Sequence, residues 1–189
     1  MNVRWLDDRI DYDGSQLRAH WILERTGLVG DAMVGFRGAC AVTKAEIADL
    51  ADIDGPGIAG DDMVHFVAEW FSHPDLLLAT HRQRLLAAQA GEVLRELAPG
   101  AAVRRDGDDL FVGAGKLSIS VATASSVSAL LHFAVNATPG GAPVRTATLA
   151  ELGIDPVLFA ERLLVLAAKE QASIAIARAK VRSKGEWRR

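Results

Sequence analysis

The chain has 189 residues, which is enough for one domain with a well-buried core. Hydrophobic residues make up 50% and charged residues 24%, a globular composition that excludes a disordered or low-complexity chain. The 21 basic and 24 acidic residues nearly balance, and the pI of about 5.9 argues against a dedicated nucleic-acid binder. We therefore expect a single domain over residues 1–189.

The compartment predicted from the sequence is the cytoplasm. Cys40 is the one cysteine, so it has no partner for an internal disulfide and does not indicate an oxidising compartment. The first 13 residues are charged and lack the apolar core of a signal peptide, and no stretch is typical of a membrane span.

Hydrophobic spacing and turn residues predict the elements of the first half of the chain. In chain order they are a strand or hairpin start over 3–12, a turn at 13–15 that caps a helix ending at Gly27, a strand over 31–37, a short helix over 44–50, a loop over 52–60 and a helix from Asp61 to about Phe71.

The second half alternates between long helices and clustered strands. In chain order the predicted elements are a helix over 75–97, strands over 102–105, 109–112, 116–123, 130–137 and 144–147, and a long helix that opens at Asp155-Pro156. The fold class is therefore α+β: one domain whose mixed or antiparallel sheet, with strands mainly within 31–37 and 102–147, is packed by helices.

The strand that begins at Lys116 carries the most informative polar pattern. Side chains alternate along a strand, so Lys116, Ser118 and Ser120 share one face and the other face is directed to the core. The residues expected on that core face are Leu117, Ile119 and Val121. The polar face lies beside a Gly-rich turn, and it fits either an anion or carbonyl-oxygen site or an exposed sheet face guarded by lysine.

The strand over 130–137 repeats this polar pattern with His132 and Asn136 on one face. If the two strands are neighbours, these two side chains converge with Lys116, Ser118 and Ser120. His132 is then either a proton-transferring group or a buried histidine with satisfied hydrogen bonds.

Two further segments have the composition of anion sites. Arg104 and Arg105 precede a turn rich in aspartate, where they either grip a phosphate or form local ion pairs. Ser15, Gln16 and Arg18 lie at a strand-to-helix turn, which either binds an anion at the helix N–H groups or simply caps the helix.

A metal site is one interpretation of His65, Glu69 and His73, which share one face of the helix predicted there. The alternative is an ordinary half-exposed helix face. The residues do not specify a metal or a cofactor.

Several runs resemble the domain-of-unknown-function family numbered 366, best known from archaea. The similarity covers nearly the whole chain and implies an α+β single domain with no established activity. It is carried by residues 12–18, Gly30-Asp-Ala32, His65-Phe66, Glu69, 82–86, Gly107-Asp-Asp-Leu110, Lys116-Leu-Ser-Ile-Ser-Val-Ala-Thr123, Ser128, His132 and Asn136.

Residues 104–136 are also similar to the core of the lipoate and biotin protein ligases. The similarity rests on Arg105, Asp109-Leu110 and Lys116, and it implies that Lys116 contacts the acyl carbonyl and the phosphate of an acyl-adenylate. The chain departs from these ligases because it lacks their Gly-rich adenylate-cradling loop and has Ser118 and Ser120 where small residues such as Gly are usual.

The function expected first is a small-molecule enzyme, of transferase or ligase type, acting on a carboxylate, acyl or phosphate-bearing substrate. Lys116 and His132 are its predicted catalytic residues. The alternatives are a non-catalytic protein that binds a nucleotide or small anion, and a Ser–Lys hydrolase using Lys116 with Ser118, Ser120 or Ser126. The expected partner is a small-molecule ligand and not a membrane or nucleic acid; a homodimer stays open.

Overall fold

The structure is a computed structural model that describes residues 1–184, and it contains eight strands and three α-helices. The strands are β1 Asn2–Arg9, β2 Ala32–Ala41, β3 Ala59–Trp70, β4 Val103–Asp106, β5 Asp109–Val112, β6 Gly115–Lys116, β7 Ser118–Ala124 and β8 Ala129–Asn136. The helices are α1 Trp21–Thr26, α2 Leu76–Leu97 and α3 Pro156–Lys180.

Two sheets organise the chain, and together they confirm the predicted α+β class. The main sheet has the order β1-β2-β3-β8-β7, with β1 parallel to β2 and the other pairs antiparallel. A small antiparallel sheet of β4, β5 and β6 lies beside it.

Helices α2 and α3 cover one face of the main sheet and bury the larger apolar cluster. Phe66 of β3 lies opposite Phe133 of β8 and meets Phe159 of α3 edge-to-face. Both helices begin where predicted, because Asp75 and Asp155 accept hydrogen bonds from the first-turn N–H groups. The other face of the sheet packs a smaller cluster around Tyr12, and this is the face that carries the site described below.

The prediction of a helix from Asp61 to Phe71 is wrong, because these residues belong to the central strand β3. The strand is covered on both faces, so nearly all its residues from Met63 onward are buried and polar residues do not alternate with apolar ones. A short apolar run of this kind does not distinguish a strand from a buried helix by periodicity.

Smaller differences occur at the edges of other predicted elements. The first strand ends at Arg9 and pairs in parallel with β2, so it does not start a hairpin. The helix after the turn at 13–15 begins only at Trp21, although Gly27 ends it as predicted. In place of the helix over 44–50 there are two short 3-10 turns, and in place of the strand over 144–147 there is a single bridge from Thr146 to Lys116.

No helix within residues 1–184 is both long enough and apolar enough to cross a membrane.

Candidate functional site

A cavity of about 380 Å³ opens on the face of the main sheet opposite α2 and α3. Its floor is formed by side chains of β3, β7 and β8 together with Tyr12, and the segment over 42–59 forms one wall. Residues 142–146 and the Asp108-Asp109 pair border it on the other side.

Lys116 reaches this cavity from the end of β6. Its Nζ atom lies 2.8 Å from Oδ2 of Asp109, which also lines the cavity. Burial raises the pKa of the Asp109 carboxyl, while the hydrogen bond from Lys116 acts in the opposite direction. The ammonium group is therefore held at the cavity wall by a half-buried carboxylate.

The backbone around Lys116 is fixed by close strand contacts. The Lys116 N–H donates to the Arg145 carbonyl at 3.0 Å, and the Lys116 carbonyl accepts from Ala147 N at 3.0 Å. A Cβ atom at Gly115 would lie only 2.7 Å from the backbone of Thr146 and Ala147, so glycine permits this approach. The side chain of Lys116 thus extends from a backbone that is fixed by its neighbours.

His132 lies on the floor as part of a buried aromatic cluster. Its ring is 3% exposed, stacks on Tyr12 at a centroid distance of 3.7 Å, and contacts the fully buried His65. Burial lowers the pKa of His65 to about 4 and that of His132 below its ordinary value, with the neighbouring His65 adding to the shift of His132. Both imidazoles are therefore neutral near neutral pH.

The hydrogen bonds of the pair assign the proton positions. His65 Nε2 lies 3.3 Å from the Gly38 carbonyl, which only accepts, so this nitrogen carries the hydrogen. The neutral His65 Nδ1 then accepts from His132 Nε2 at 3.1 Å. It follows that Nδ1 of His132 is unprotonated, and no described residue donates a hydrogen bond to it.

Asn136, the last residue of β8, lies on the floor of the cavity close to the backbone of Lys116. Its Nδ2 donates to the carbonyls of Lys116 at 3.0 Å and Ala147 at 3.3 Å, which fixes the orientation of the amide. Its Oδ1 has no donor among the described residues, although the side chain is 7% exposed and lines the cavity.

The charged groups around the cavity are mostly acidic. Within residues 1–184, Lys116 is the one lysine or arginine that lines it. The carboxylates that line it are Glu46, Asp49, Asp52, Asp108 and Asp109. This balance disfavours a ligand with several negative charges.

The predicted convergence of polar side chains is correct for part of the set. Strands β7 and β8 are neighbours, and Lys116, His132 and Asn136 all line the cavity. Ser118 and Ser120 lie opposite Val135 and Phe133, which face the helices, so their predicted position beside His132 is wrong.

The alternation fails at Leu117, where the strand is interrupted between β6 and β7. Ile119 and Val121, predicted to face the core, line the cavity instead. The Ser118 hydroxyl accepts from Leu110 N at 2.8 Å. The Ser120 hydroxyl donates to Asp108 at 2.7 Å, so this serine borders the cavity without presenting a free hydroxyl donor.

The two arginines predicted as a phosphate grip lie away from the cavity. Arg104 pairs with Asp106 and lies over the Phe111 ring, while Arg105 donates to the Gly107 carbonyl. This is the local turn network that was the alternative interpretation.

The turn at residues 13–18 is also satisfied internally. Ser15 bonds to Asp13, Gln16 donates to the Asp11 carbonyl, and Arg18 pairs with Glu24. None of the three predicted binding residues of this turn lines the cavity, but the neighbouring Tyr12 and Leu17 do.

The three residues considered as metal ligands, His65, Glu69 and His73, do not form a helix face. His65 and Glu69 are buried on β3, and His73 lies in the loop beyond it. Glu69 accepts hydrogen bonds from the Ser128 hydroxyl and from the backbone N–H of His20, the residue that precedes α1. Its carboxylate therefore binds the N-terminal end of this helix. No group of three or more metal-ligating side chains is found within residues 1–184.

Sequence reasoning missed three contributors to the cavity. Tyr12 belongs to a polar run at a turn, and Asp109 belongs to an aspartate-rich turn, so neither stands out in the sequence as a cavity residue. The wall over 42–59 was interpreted as a short helix and a loop, and only its excess of aspartate signalled a role.

Among solved structures, the fold is similar to that of the biotin protein ligases. The biotin protein ligase from Aquifex aeolicus in complex with biotin and ATP superposes with a TM-score of 0.58 at 17% identity, covering 89% of this chain and 69% of that chain. At this identity the similarity establishes the fold alone.

The chain belongs to the family described as Domain of unknown function (DUF366), whose model matches residues 1–182. A protein of unknown function from Pyrococcus horikoshi is 42% identical, with a TM-score of 0.92 over 96% of this chain and 98% of that chain. An uncharacterized protein of Methanocaldococcus jannaschii is 34% identical over 163 residues, which is 83% of this chain and 73% of the relative. The predicted family is therefore confirmed, and so is the similarity to the biotin ligase fold.

Proposed function

We propose that the protein is a small-molecule enzyme of the transferase or ligase type that acts on a carboxylate or acyl group bound in the cavity. The observation that carries the proposal is the position of Lys116. It is the one cationic side chain that lines the cavity within the described residues, and it extends from a backbone held by neighbouring strands.

Lys116 supplies the electrostatic part of the chemistry. An ammonium group aimed at the carbonyl oxygen of an acyl substrate stabilises the negative charge that grows there when an amine or hydroxyl of a second substrate attacks the carbonyl carbon. The carbonyl re-forms when the bond to the original acyl carrier breaks, and the carrier leaves with the proton of the attacking group. With a free carboxylate the same ammonium group binds and orients the substrate. Asp109, 2.8 Å from Nζ, keeps the group in place before the substrate arrives. The biotin protein ligase of similar fold binds biotin and ATP, and biotin also ends in a carboxylate.

His132 is proposed to act as an acceptor. Its buried, neutral ring presents an unprotonated Nδ1 and is suited to accept a hydrogen bond or proton from substrate. The donor role of an imidazolium is disfavoured because burial lowers the pKa of this histidine.

The charge around the cavity favours a carboxylate or acyl ligand over a phosphate-rich one. A single carboxylate can be bound by Lys116 alongside Asp109, whereas a polyphosphate would face several acidic side chains with no arginine from residues 1–184 on the wall. Arg104 and Arg105, which were expected to hold phosphate, are engaged elsewhere.

A second candidate is a non-catalytic protein that binds the same kind of molecule. It is favoured by the bonding of the two serines nearest Lys116 in the sequence: the Ser118 hydroxyl accepts from Leu110 N, and the Ser120 hydroxyl donates to Asp108. The Ser–Lys hydrolase has the weakest support, since no described serine hydroxyl is hydrogen-bonded to the Lys116 ammonium.

The test is turnover in a metabolite extract, with and without ATP, followed by mass spectrometry. The proposal predicts that the protein consumes a carboxylic acid or acyl compound, and that Lys116→Met abolishes this consumption. Lys169→Met, an exposed position on α3, is the matched control and should retain it. Consumption unaffected by Lys116→Met would contradict the proposal, and clear binding without turnover would select the second candidate.

A further inference from the structure

Three polar atoms on the cavity floor have no hydrogen-bond partner among residues 1–184. They are the Tyr12 hydroxyl, His132 Nδ1 and Asn136 Oδ1. Their side chains are 2%, 3% and 7% exposed, and all three line the cavity. Because these residues line the cavity and no described protein group satisfies the three atoms, the atoms are candidates for contact with a ligand.

Two of these atoms can only accept. His132 Nε2 donates to His65, which leaves Nδ1 with a lone pair. Asn136 uses its Nδ2 for the carbonyls of Lys116 and Ala147, which leaves Oδ1 directed elsewhere. The ligand must therefore bring hydrogen-bond donors to the floor.

The surroundings favour an uncharged donor. Burial keeps His132 and His65 neutral and Tyr12 protonated, and the same burial penalises an ammonium group on the ligand. The floor also includes Met63, Ile119 and Val121, so the rest of the buried part of the ligand is apolar.

We infer that the floor of the cavity recognises an uncharged N–H donor group of the substrate, of the amide type, through His132 Nδ1 and Asn136 Oδ1. The substrate class is thus a carboxylic acid or acyl compound that carries amide N–H groups away from its reacting end. The assignment of the reacting end to Lys116 rests on the proposed function, whereas the donor requirement does not.

The test uses two matched pairs of probes that differ only by an NH₂ group replaced with CH₃. The first pair is adipic acid monoamide and its methyl ketone analogue, and the second is hexanamide and methyl pentyl ketone. In each pair we expect the amide to bind on the order of tenfold more tightly, because the ketone leaves a buried acceptor unpaired. Ketones that bind as tightly as amides would overturn the inference, and so would a cavity that binds neither amide.

His132→Phe removes the acceptor while keeping an aromatic ring against Tyr12. Because Asn136 Oδ1 remains as an acceptor, the amide preference should fall to about threefold in this variant, and it should persist in full in His81→Phe, an exposed control on α2. Proton–nitrogen NMR of the wild-type protein gives a readout independent of any variant. It should show His132 as the Nε2–H form with an Nδ1 signal that moves when hexanamide binds; a protonated Nδ1 would overturn the inference.

The two proposals fail in different ways. Lys116→Met should weaken the binding of both carboxylate probes and leave the affinities of the two neutral probes unchanged. If it leaves all four unchanged while amides remain preferred, the proposed role of Lys116 is refuted and the donor requirement stands. If Lys116→Met weakens the binding of both carboxylate probes while amides and ketones bind equally, the donor requirement is refuted and the proposed role of Lys116 stands.

Discussion

Acidification should destabilise the protein through the buried pair of His65 and His132. His65 is fully buried between Phe36, Tyr12 and His132, and its two ring nitrogens are engaged by Gly38 and His132. His65 itself is therefore out of contact with water that would hydrate an added proton. The charge would also be unmatched, since Asp11 and Asp62 raise the pKa of His65 less than burial lowers it.

The size of the effect follows from the pKa of His65. Its value is 6.5 in the unfolded chain and about 4 in the folded protein, so between these pH values only the unfolded state binds the proton. The contribution of neutral His65 to the free energy of unfolding is therefore fully present above pH 6.5 and is lost as the pH drops toward 4. The loss from His65 alone is about 3 kcal/mol, and His132, whose pKa is also lowered, adds to it.

Urea unfolding measured across this pH range gives the assay, with the double variant His65→Phe/His132→Phe as reference. The wild-type protein should lose at least about 3 kcal/mol more unfolding free energy than the variant over the window. Equal losses in the two proteins would refute the reasoning. NMR titration of the wild-type imidazoles tests the same explanation independently, because His65 should not titrate near its ordinary pKa.

Two further predictions concern packing. Gly38→Ala should lower the unfolding free energy by more than about 3 kcal/mol, because its Cβ would lie 1.8 Å from the Ile10 carbonyl oxygen, whereas Gly100→Ala, with open space around it, should have little effect in the same urea assay. Arg82→Met should leave the melting temperature unchanged or raise it, because one guanidinium nitrogen of Arg82 is buried without a hydrogen-bond partner among residues 1–184; a clear fall in the melting temperature would contradict this.

The sequence predicted the fold well where local signals were strong. The capping aspartates, Asp75 and Asp155, mark the two long helices correctly because each accepts a hydrogen bond in the first turn. The strand β3 was missed because burial on both faces removes the alternation that identifies a strand. The error also misplaced His65 and Glu69, which lie in the interior of the sheet and do not form an exposed metal-binding face.

The positions of the candidate site residues were predicted only in part, for a related reason. Lys116, His132 and Asn136 do meet at the cavity, as side-chain alternation on neighbouring strands suggested. Ser118 and Ser120 were placed on the wrong face because the chain is irregular at Leu117, where one sheet gives way to the other. Such an irregularity reverses the facing of every later residue, and nothing in the local sequence indicates it.

The most direct test of the account is enrichment of ligands from a metabolite extract by equilibrium dialysis, read by mass spectrometry. We expect the wild-type protein and Lys169→Met to enrich a compound with a carboxylate or acyl end and amide N–H groups. Lys116→Met should lose this enrichment. Enrichment that survives Lys116→Met, or enrichment only of phosphate-rich compounds without such groups, would contradict the assignment of the cavity.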